Sequence, residues 1–129
     1  MKKFLIVSIL FIFAINFYGQ TSEKQGITAA IQAGDSKALG KYFTKIVDLT
    51  VKDVEDVYSK EQAEVILARF FSENVPTSYG VKHEGKSKLD DYYYIGDLVT
   101  SNGSYRLTFF LKKDGDAFRV KQLRIENGN

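Results

Sequence analysis

The apolar positions after residue 24 first repeat at helical spacing. A first helix is predicted over 25–33, where apolar residues recur every three or four positions. Gly34 favours the left-handed conformation that ends many helices. Asp35 is suited to cap a second, short helix, and the pattern predicts that this helix ends near Phe43 or Thr44.

The middle of the chain predicts a hairpin followed by a long helix. From Ile46 to Val51, apolar and polar residues alternate with the period of a half-buried strand, and Val54 to Tyr58 is suited to pair with it. Ser59 and Gln62 form a capping box. The apolar residues that follow keep helical spacing over several turns, which predicts an amphipathic helix ending before Pro76.

After Pro76 the pattern changes to strands rich in aromatic and β-branched residues. The predicted strands are Tyr79 to Glu84, Tyr92 to Ser101, Ser104 to Lys112 and Phe118 to Glu126. The turn dipeptides Asn102-Gly103 and Asp114-Gly115 predict that the last three strands form an antiparallel meander. The expected fold class is α+β, with N-terminal helices packed on a strongly curved mixed or antiparallel sheet that leaves a cone with a mouth.

The first 19 residues have the layout of a secretory signal peptide. Lys2 and Lys3 precede an apolar run from Phe4 to Ile15, which is shorter than the roughly 20 residues of a membrane span, and Gly19 offers a small residue for cleavage. We therefore expect an exported protein, periplasmic or extracellular, in which residues 20–129 form one domain with no membrane attachment after cleavage. An uncleaved N-terminal anchor is the alternative.

Composition excludes several classes of site. The chain has no cysteine and one histidine, which leaves no disulfide, no thiolate metal site and too few nitrogen ligands for an ordinary zinc centre. Without Lys2 and Lys3, the 18 basic residues fall to 16 and equal the 16 acidic residues. A formally neutral domain lacks the surplus of cations that nucleic-acid binding requires. No nucleophile, phosphate-loop or dinucleotide motif is present, so no cofactor is predicted.

His83 and Arg106 are candidate ligand-binding residues. On an alternating strand, His83 shares a face with Tyr79 and Val81, which would direct it into the cone. A structural or surface role is nevertheless the more common one for a single strand histidine. Arg106 reaching into the cone would suit a carboxylate or phosphate, while cross-strand pairing with an acid explains it as well.

Tyrosines form a second group of candidates. Tyr58 and Tyr94 could offer hydroxyl groups to an amphipathic ligand from strands that line the cone. Ordinary aromatic packing within a sheet is the simpler explanation of such residues.

Several segments resemble known families. The element order, together with Asp48-Leu49-Thr50-Val51 and the helix from Glu61 to Asn74, looks like the nuclear transport factor two-like superfamily of cystatin-like, cone-shaped α+β domains. More narrowly, segments such as Tyr58-Ser59-Lys60, His83-Glu84-Gly85-Lys86-Ser87 and Gln122-Leu123-Arg124-Ile125-Glu126 resemble a secreted bacterial family, domain of unknown function 4783. This resemblance spans nearly all of the mature chain. It implies the fold and an exported location, but no activity.

The superfamily includes ketosteroid isomerase, and one residue resembles its catalytic base. The segment Asp48 to Asp53 is similar to the isomerase strand that carries the proton-abstracting aspartate, which implies that role for Asp53. The isomerase also holds its oxyanion with a tyrosine from the first helix and an acid from a late strand. Here the first helix has apolar residues where the tyrosine is wanted, and Tyr105 to Leu111 contains no acid. No catalytic residue is therefore assigned.

The sequence favours a non-catalytic binding module that holds a small amphipathic or anionic ligand in the cone. Its candidate contacts are His83, Arg106, Asp53, Tyr58 and Tyr94. The alternative is an interaction domain of the cell envelope that pairs two copies, or docks on a partner, through the outer face of the sheet. An isomerase-like or dehydratase-like enzyme is the second alternative. No metal, cofactor or nucleic-acid partner is predicted.

Overall fold

A computed structural model describes residues 22–128, and the predicted signal peptide at 1–19 lies outside the described residues. The helices are α1 (Ser22–Ala33), α2 (Ser36–Gly40) and α3 (Lys60–Glu73). The strands are β1 (Phe43–Val51), β2 (Val54–Ser59), β3 (Pro76–Lys86), β4 (Tyr92–Thr100), β5 (Gly103–Asp114) and β6 (Ala117–Asn127). The predicted α+β class is confirmed. None of the helices in this part of the chain is long and apolar enough to cross a membrane.

The six strands form one mixed sheet in the order β2-β1-β6-β5-β4-β3. Neighbouring strands are antiparallel except β1 and β6, which run parallel and join the N-terminal hairpin to the C-terminal meander. α1 contacts β3, and α3 contacts β1 and β2, so the helices cover one face of the sheet. We call the helix-covered side the inner face and the opposite side the outer face.

The predicted start and stop signals of the helices are present. Ser59 Oγ accepts a hydrogen bond from the Gln62 backbone N–H, and Gln62 Oε1 accepts one from the Ser59 N–H, both at 3.2 Å. Asp35 Oδ1 accepts a hydrogen bond from the Ala38 N–H at 3.0 Å. Gly34 has a φ of 65°, the left-handed conformation that a side chain would oppose. These contacts satisfy backbone groups that a helix end leaves unpaired.

Several element boundaries differ from the prediction, and the end of α2 and the start of β3 have identifiable causes. α2 ends at Gly40 instead of near Phe43, because Phe43 pairs in parallel with Val120 of β6 and so belongs to the sheet. The Val120 N–H also donates a hydrogen bond to the Tyr42 carbonyl at 2.7 Å. β3 begins at Pro76, earlier than the predicted strand, which is possible because proline is tolerated as the first residue of an edge strand.

A continuous apolar core fills the space between the helices and the inner face. α1 contributes Ile27 and Ile31, and α3 contributes Leu67, Phe70 and Phe71, all at most 4% exposed. The sheet contributes buried side chains from all strands except β2, namely Phe43, Val47, Leu49, Tyr79, Tyr94, Leu98, Tyr105, Leu107, Phe109, Leu111, Val120, Leu123 and Ile125. Burying a large apolar side chain stabilises a fold by about 1.5–3 kcal/mol before entropy is counted. The interior of the cone is therefore packed protein.

Candidate functional site

Tyr94 lies in the packed core. It is 1% exposed, its ring stacks on that of Phe109 with centroids 4.9 Å apart, and the Lys24 ammonium lies 5.5 Å from its ring centroid. Phe70 closes the other part of the interior, with its ring edge-on to that of Tyr105 at 5.2 Å. Of the two alternatives for Tyr94, a pocket hydroxyl or ordinary aromatic packing, the structure favours packing, because the residue is buried among aromatic rings.

An apolar groove remains open at the mouth of the cone, between α3 and the β1–β2 hairpin. This mouth groove has a volume of about 230 Å³ and is lined by Leu49, Val51, Val54, Tyr58 and Ile66. It adjoins a shallower hollow lined by Tyr58, Gln62, Val65 and Ile66. Val54 and Val65 are each 62% exposed. Of the five predicted contacts, Tyr58 alone lines this groove.

The turn between β1 and β2 brings a cation to the inner side of the sheet. Lys52 has a φ of 58°, and its ammonium lies 5.7 Å from the ring centroid of Tyr105. Tyr105 is an inner-face residue that contacts Phe70, which lies one helical turn beyond Ile66 on α3. The mouth groove therefore has apolar walls, and the Lys52 ammonium, which is not part of its lining, lies on the same side of the sheet.

Asp53 does not reach the mouth groove. It is an exposed residue of the two-residue turn between Val51 and Val54, and it is absent from the lining of the groove. Asp53 is therefore not one of the residues that form this groove, and a ligand contact there stays a prediction. The carboxylate follows the end of β1, whereas the inner-face residues of that strand, such as Leu49, carry the groove wall.

His83 lies on the outer face because of a β-bulge. Val81 pairs with Gly96 and His83 pairs with Ile95, so Lys82 is an extra residue in β3. A bulge of this kind interrupts the alternation of side chains and turns two consecutive residues to one side. The prediction that His83 shares a face with Tyr79 and Val81 is therefore wrong.

Arg106 also lies on the outer face. It is exposed and pairs across the sheet with Asp97 of β4 and with Glu126 of β6. Of the two alternatives for Arg106, this register favours a cross-strand position beside an acid over a position in the cone, because the opposite set of β5 residues, including Leu107 and Phe109, faces the core. Arg106 and His83 nevertheless come together.

The two residues line a single concavity that we call the outer-face pocket. It has a volume of about 370 Å³ and is lined by Lys82, His83, Ile95, Gly96, Asp97 and Arg106. Within it, the Lys82 ammonium forms an ion pair with Asp97 at 3.1 Å.

A second polar cluster lies on the outer face. Arg124 Nη2 donates a hydrogen bond to Glu126 Oε2 at 2.9 Å, and this bond, with the nearby carboxylates of Glu55 and Asp48, raises the pKa of Arg124. Asp48 Oδ1 and Thr50 Oγ1 are buried and have no hydrogen-bond partner among residues 22–128. The cluster joins β1, β2 and β6, and the parallel pairing of β1 with β6 has no local sequence signal.

No group of three histidine, aspartate or glutamate side chains in the described part of the chain is arranged to hold a metal ion.

Comparison with known proteins assigns the family. The family model described as a domain of unknown function, DUF4783, matches residues 24–126. The chain is a DUF4783 protein. Solved DUF4783 proteins from Bacteroides ovatus and Bacteroides uniformis are each 32% identical to it with a TM-score of 0.76; both matches cover 81% of this chain, and 94% and 96% of the respective relatives. None of the curated proteins compared matches the sequence.

More distant structures establish the fold of this DUF4783 protein. A cystatin-like domain from Nostoc punctiforme is 8% identical with a TM-score of 0.64, covering 82% of this chain and 73% of that one. An NTF2 protein designated Rd1NTF2_05, with five substitutions, is 15% identical with a TM-score of 0.62, covering 78% and 90%. The predicted family and the predicted nuclear transport factor two-like fold are confirmed.

Proposed function

We propose that this DUF4783 protein is an exported, non-catalytic binding module that holds a small amphipathic anion in the mouth groove. The observation that carries the proposal is the groove itself, in which four aliphatic side chains and one tyrosine surround about 230 Å³ of space. Pockets for drug-sized ligands span about 300–1,000 Å³, so the groove suits a short acyl chain.

The surroundings of the groove favour a ligand with an anionic head. Lys52 supplies an ammonium on the inner side of the sheet, and Tyr58 is the lining residue that carries a hydroxyl group. A carboxylate head beside Lys52 and an acyl tail against Val54 and Ile66 would use both features. Each CH₂ group removed from water contributes about 0.8 kcal/mol.

The chemistry of the lining supports binding over catalysis. The residues that line the mouth groove include no histidine and no carboxylate, and His83 and Arg106 lie on the other face of the sheet. General acid–base catalysis requires a titratable group within hydrogen-bond reach of the substrate. The isomerase alternative thus gains no support from the groove.

Calorimetric titration of the mature protein, from Gln20 onward, with sodium octanoate and with neutral octanol tests the proposal. We expect octanoate to bind more tightly than octanol, and Lys52→Gln to remove this difference while octanol binding persists. Val54→Glu should abolish octanoate binding, because it places a carboxylate in the groove wall. Val75→Glu is the matched control, since Val75 is 53% exposed and lies outside the groove.

Two results would reject the groove as the site. One is the absence of octanoate binding at millimolar concentration. The other is an equal loss of binding in Val54→Glu and Val75→Glu. A bound ligand at about 100 times its dissociation constant should also raise the free energy of unfolding by about 2.7 kcal/mol, which a thermal melt detects.

Export has its own test. When the full chain is produced in a bacterium, we expect it in the periplasm or medium with Gln20 as its first residue, as determined by mass spectrometry. Leu10→Arg interrupts the apolar run and should retain the uncleaved chain in the cell. Retention of the original chain at full length would reject the cleaved-signal hypothesis.

A second candidate function is pairing of two copies through the β1–β2 end of the outer face. Ile46 and Val57 are 60% and 59% exposed there, beside the two buried polar atoms of Asp48 and Thr50 that have no hydrogen-bond partner in residues 22–128. The same patch carries Arg124 together with acids, and charges of both signs are what a twofold contact of a surface with itself requires. A buried polar atom without a hydrogen-bond partner destabilises the protein, and a second copy that supplies a partner would relieve this cost.

Light scattering after size exclusion measures the mass in solution and tests pairing. We expect a dimer at micromolar concentration that Val57→Lys converts to monomer, because the change introduces like charges into a twofold contact. Val65→Lys is the matched control on α3, with a valine of similar exposure on the helix side. A monomeric original chain would reject this candidate without affecting the mouth groove.

A further inference from the structure

We propose that the outer-face pocket is a second ligand site, which binds a small oxyanion, that is, a carboxylate or a phosphate group. The pocket gathers Lys82, His83 and Arg106 from two strands around about 370 Å³ of space, with Asp97 as the acid in its lining. These side chains offer an ammonium group, an imidazole N–H and a planar guanidinium, respectively. Such donors are suited to oxyanions, and Arg106 can bind one in a bidentate manner.

The backbone of β3 and β4 builds this pocket. The bulge at Lys82 turns both Lys82 and His83 outward, and bulges are over-represented beside functional sites. Gly80 pairs with Asp97 in the neighbouring ladder position, and a Cβ atom at Gly80 would have no heavy atom within 4 Å. The space beside Asp97 is therefore open. Three cationic or hydrogen-bond-donating side chains thus border a concavity that no side chain at position 80 fills.

The ion pair inside the pocket can be exchanged for a ligand. Lys82 and Asp97 have side chains that are 65% and 57% exposed, although their charged atoms are 3.1 Å apart. Exposed pairs of this kind are weak, because water competes for both charges. An incoming oxyanion can take the Lys82 ammonium from Asp97 while it also binds Arg106. Asp97 acts in this arrangement as an internal competitor of the ligand.

The site does not depend on the mouth groove. The two sites lie on opposite faces of the sheet and share no lining residue. Either proposal can therefore fail while the other stands.

Two-dimensional ¹H–¹⁵N NMR of the mature protein tests the site, with inorganic phosphate and sodium succinate titrated separately at an ionic strength held constant with chloride. We expect saturable shifts of the Lys82, His83 and Gly96 amide signals with at least one of the two anions. Tighter binding of phosphate identifies a phosphorylated ligand, and tighter binding of succinate identifies a carboxylate ligand.

Three variants make the test specific. Arg106→Gln should weaken anion binding about tenfold, because it removes a charged donor. Asp97→Asn should tighten binding, because it removes the competing carboxylate, and a purely structural role of Asp97 would not produce this result. Arg69→Gln is the matched control, since Arg69 is an exposed residue of α3 outside the pocket lining. The proposal is overturned if neither anion shifts these signals at millimolar concentration, or if Arg106→Gln and Arg69→Gln bind equally.

Discussion

The ring of Tyr79 on β3 occupies the space that a side chain at Gly96 on β4 would need. A Cβ atom at Gly96 would lie 2.8 Å from two carbon atoms of the Tyr79 ring, closer than real Cβ contacts allow. Tyr79 Oη donates a hydrogen bond to the Leu107 carbonyl at 2.9 Å. Because Leu107 pairs with Gly96, the glycine allows a side chain of β3 to reach across β4 to β5.

Replacement of Gly96 by alanine should destabilise the fold. The added methyl group would clash first with the Gly80 backbone carbonyl oxygen and then with the Tyr79 ring. Overpacking of this kind costs about 1–3 kcal/mol in the free energy of unfolding, measured by urea denaturation. Gly80→Ala is the matched control, because its Cβ would meet no heavy atom within 4 Å and the change should be about 0.5 kcal/mol or less. Equal losses in the two variants would contradict the role of Gly96.

The free energy of unfolding should fall in alkaline solution, because the buried Tyr79 phenol resists ionisation in the native state. Burial, with a smaller effect of the Asp97 charge, raises the pKa of the Tyr79 phenol above its ordinary value of 10.0. The native state therefore keeps this proton at a pH where the unfolded chain loses it. The stabilisation is complete below about pH 10 and decreases by up to about 1.4 kcal/mol per pH unit as the pH rises towards the native pKa.

The variant Tyr79→Phe separates this effect from that of the other tyrosines. Urea denaturation between about pH 8 and pH 11 should show a difference in unfolding free energy between the original chain and the variant that shrinks above about pH 10. A difference that stays constant over this range would show that Tyr79 ionises equally in both states.

Removal of the Tyr105 hydroxyl should expose the cost of a buried amide. Tyr105 Oη donates a hydrogen bond to Asn74 Oδ1 at 2.8 Å, and Asn74 is 1% exposed. Tyr105→Phe leaves that oxygen without its donor, and an unsatisfied buried acceptor costs about 1–3 kcal/mol in the free energy of unfolding. Tyr93, a half-buried residue of the outer face, provides the control, and Tyr93→Phe should change the free energy of unfolding by about 0.5 kcal/mol or less. An equal loss in both variants would argue against the Asn74 contact.

Deletion of Lys82 should be tolerated, because it removes the one residue that the bulge adds. The pairs Val81–Gly96 and His83–Ile95 would then follow each other in a regular ladder, and we expect a native-like NMR spectrum with a loss of at most about 2 kcal/mol in unfolding free energy. Deletion of Thr108 from β5 is the control. That strand pairs regularly around Thr108, so the deletion moves its core residues to the wrong face and should prevent folding. Unfolding of both variants would contradict the bulge.

The candidate site was only partly predictable from the sequence. Tyr58, one of the candidate ligand contacts, lies in the lining of the mouth groove, and its role as a ligand contact stays a prediction. His83 was assigned to the wrong face, because one inserted residue at Lys82 reverses the alternation beyond it. For Arg106 a position in the cone and cross-strand pairing with an acid both stayed open, because the strand register cannot be read from the sequence, and the register places it opposite Asp97 and Glu126. Its proximity to His83 depends on the pairing of three strands.

The sequence by itself determined the elements whose cause lies within a few residues. The capping box of Ser59 and Gln62, the positive φ at Gly34 and the alternation in β1 all depend on near neighbours, and each agrees with its prediction. The tertiary structure decided what depends on distant residues. The parallel pairing of Phe43 with Val120 ended α2 early, and the packing of Tyr94 on Phe109 filled the cone. Such contacts compete with local preference and win because they bury large apolar side chains.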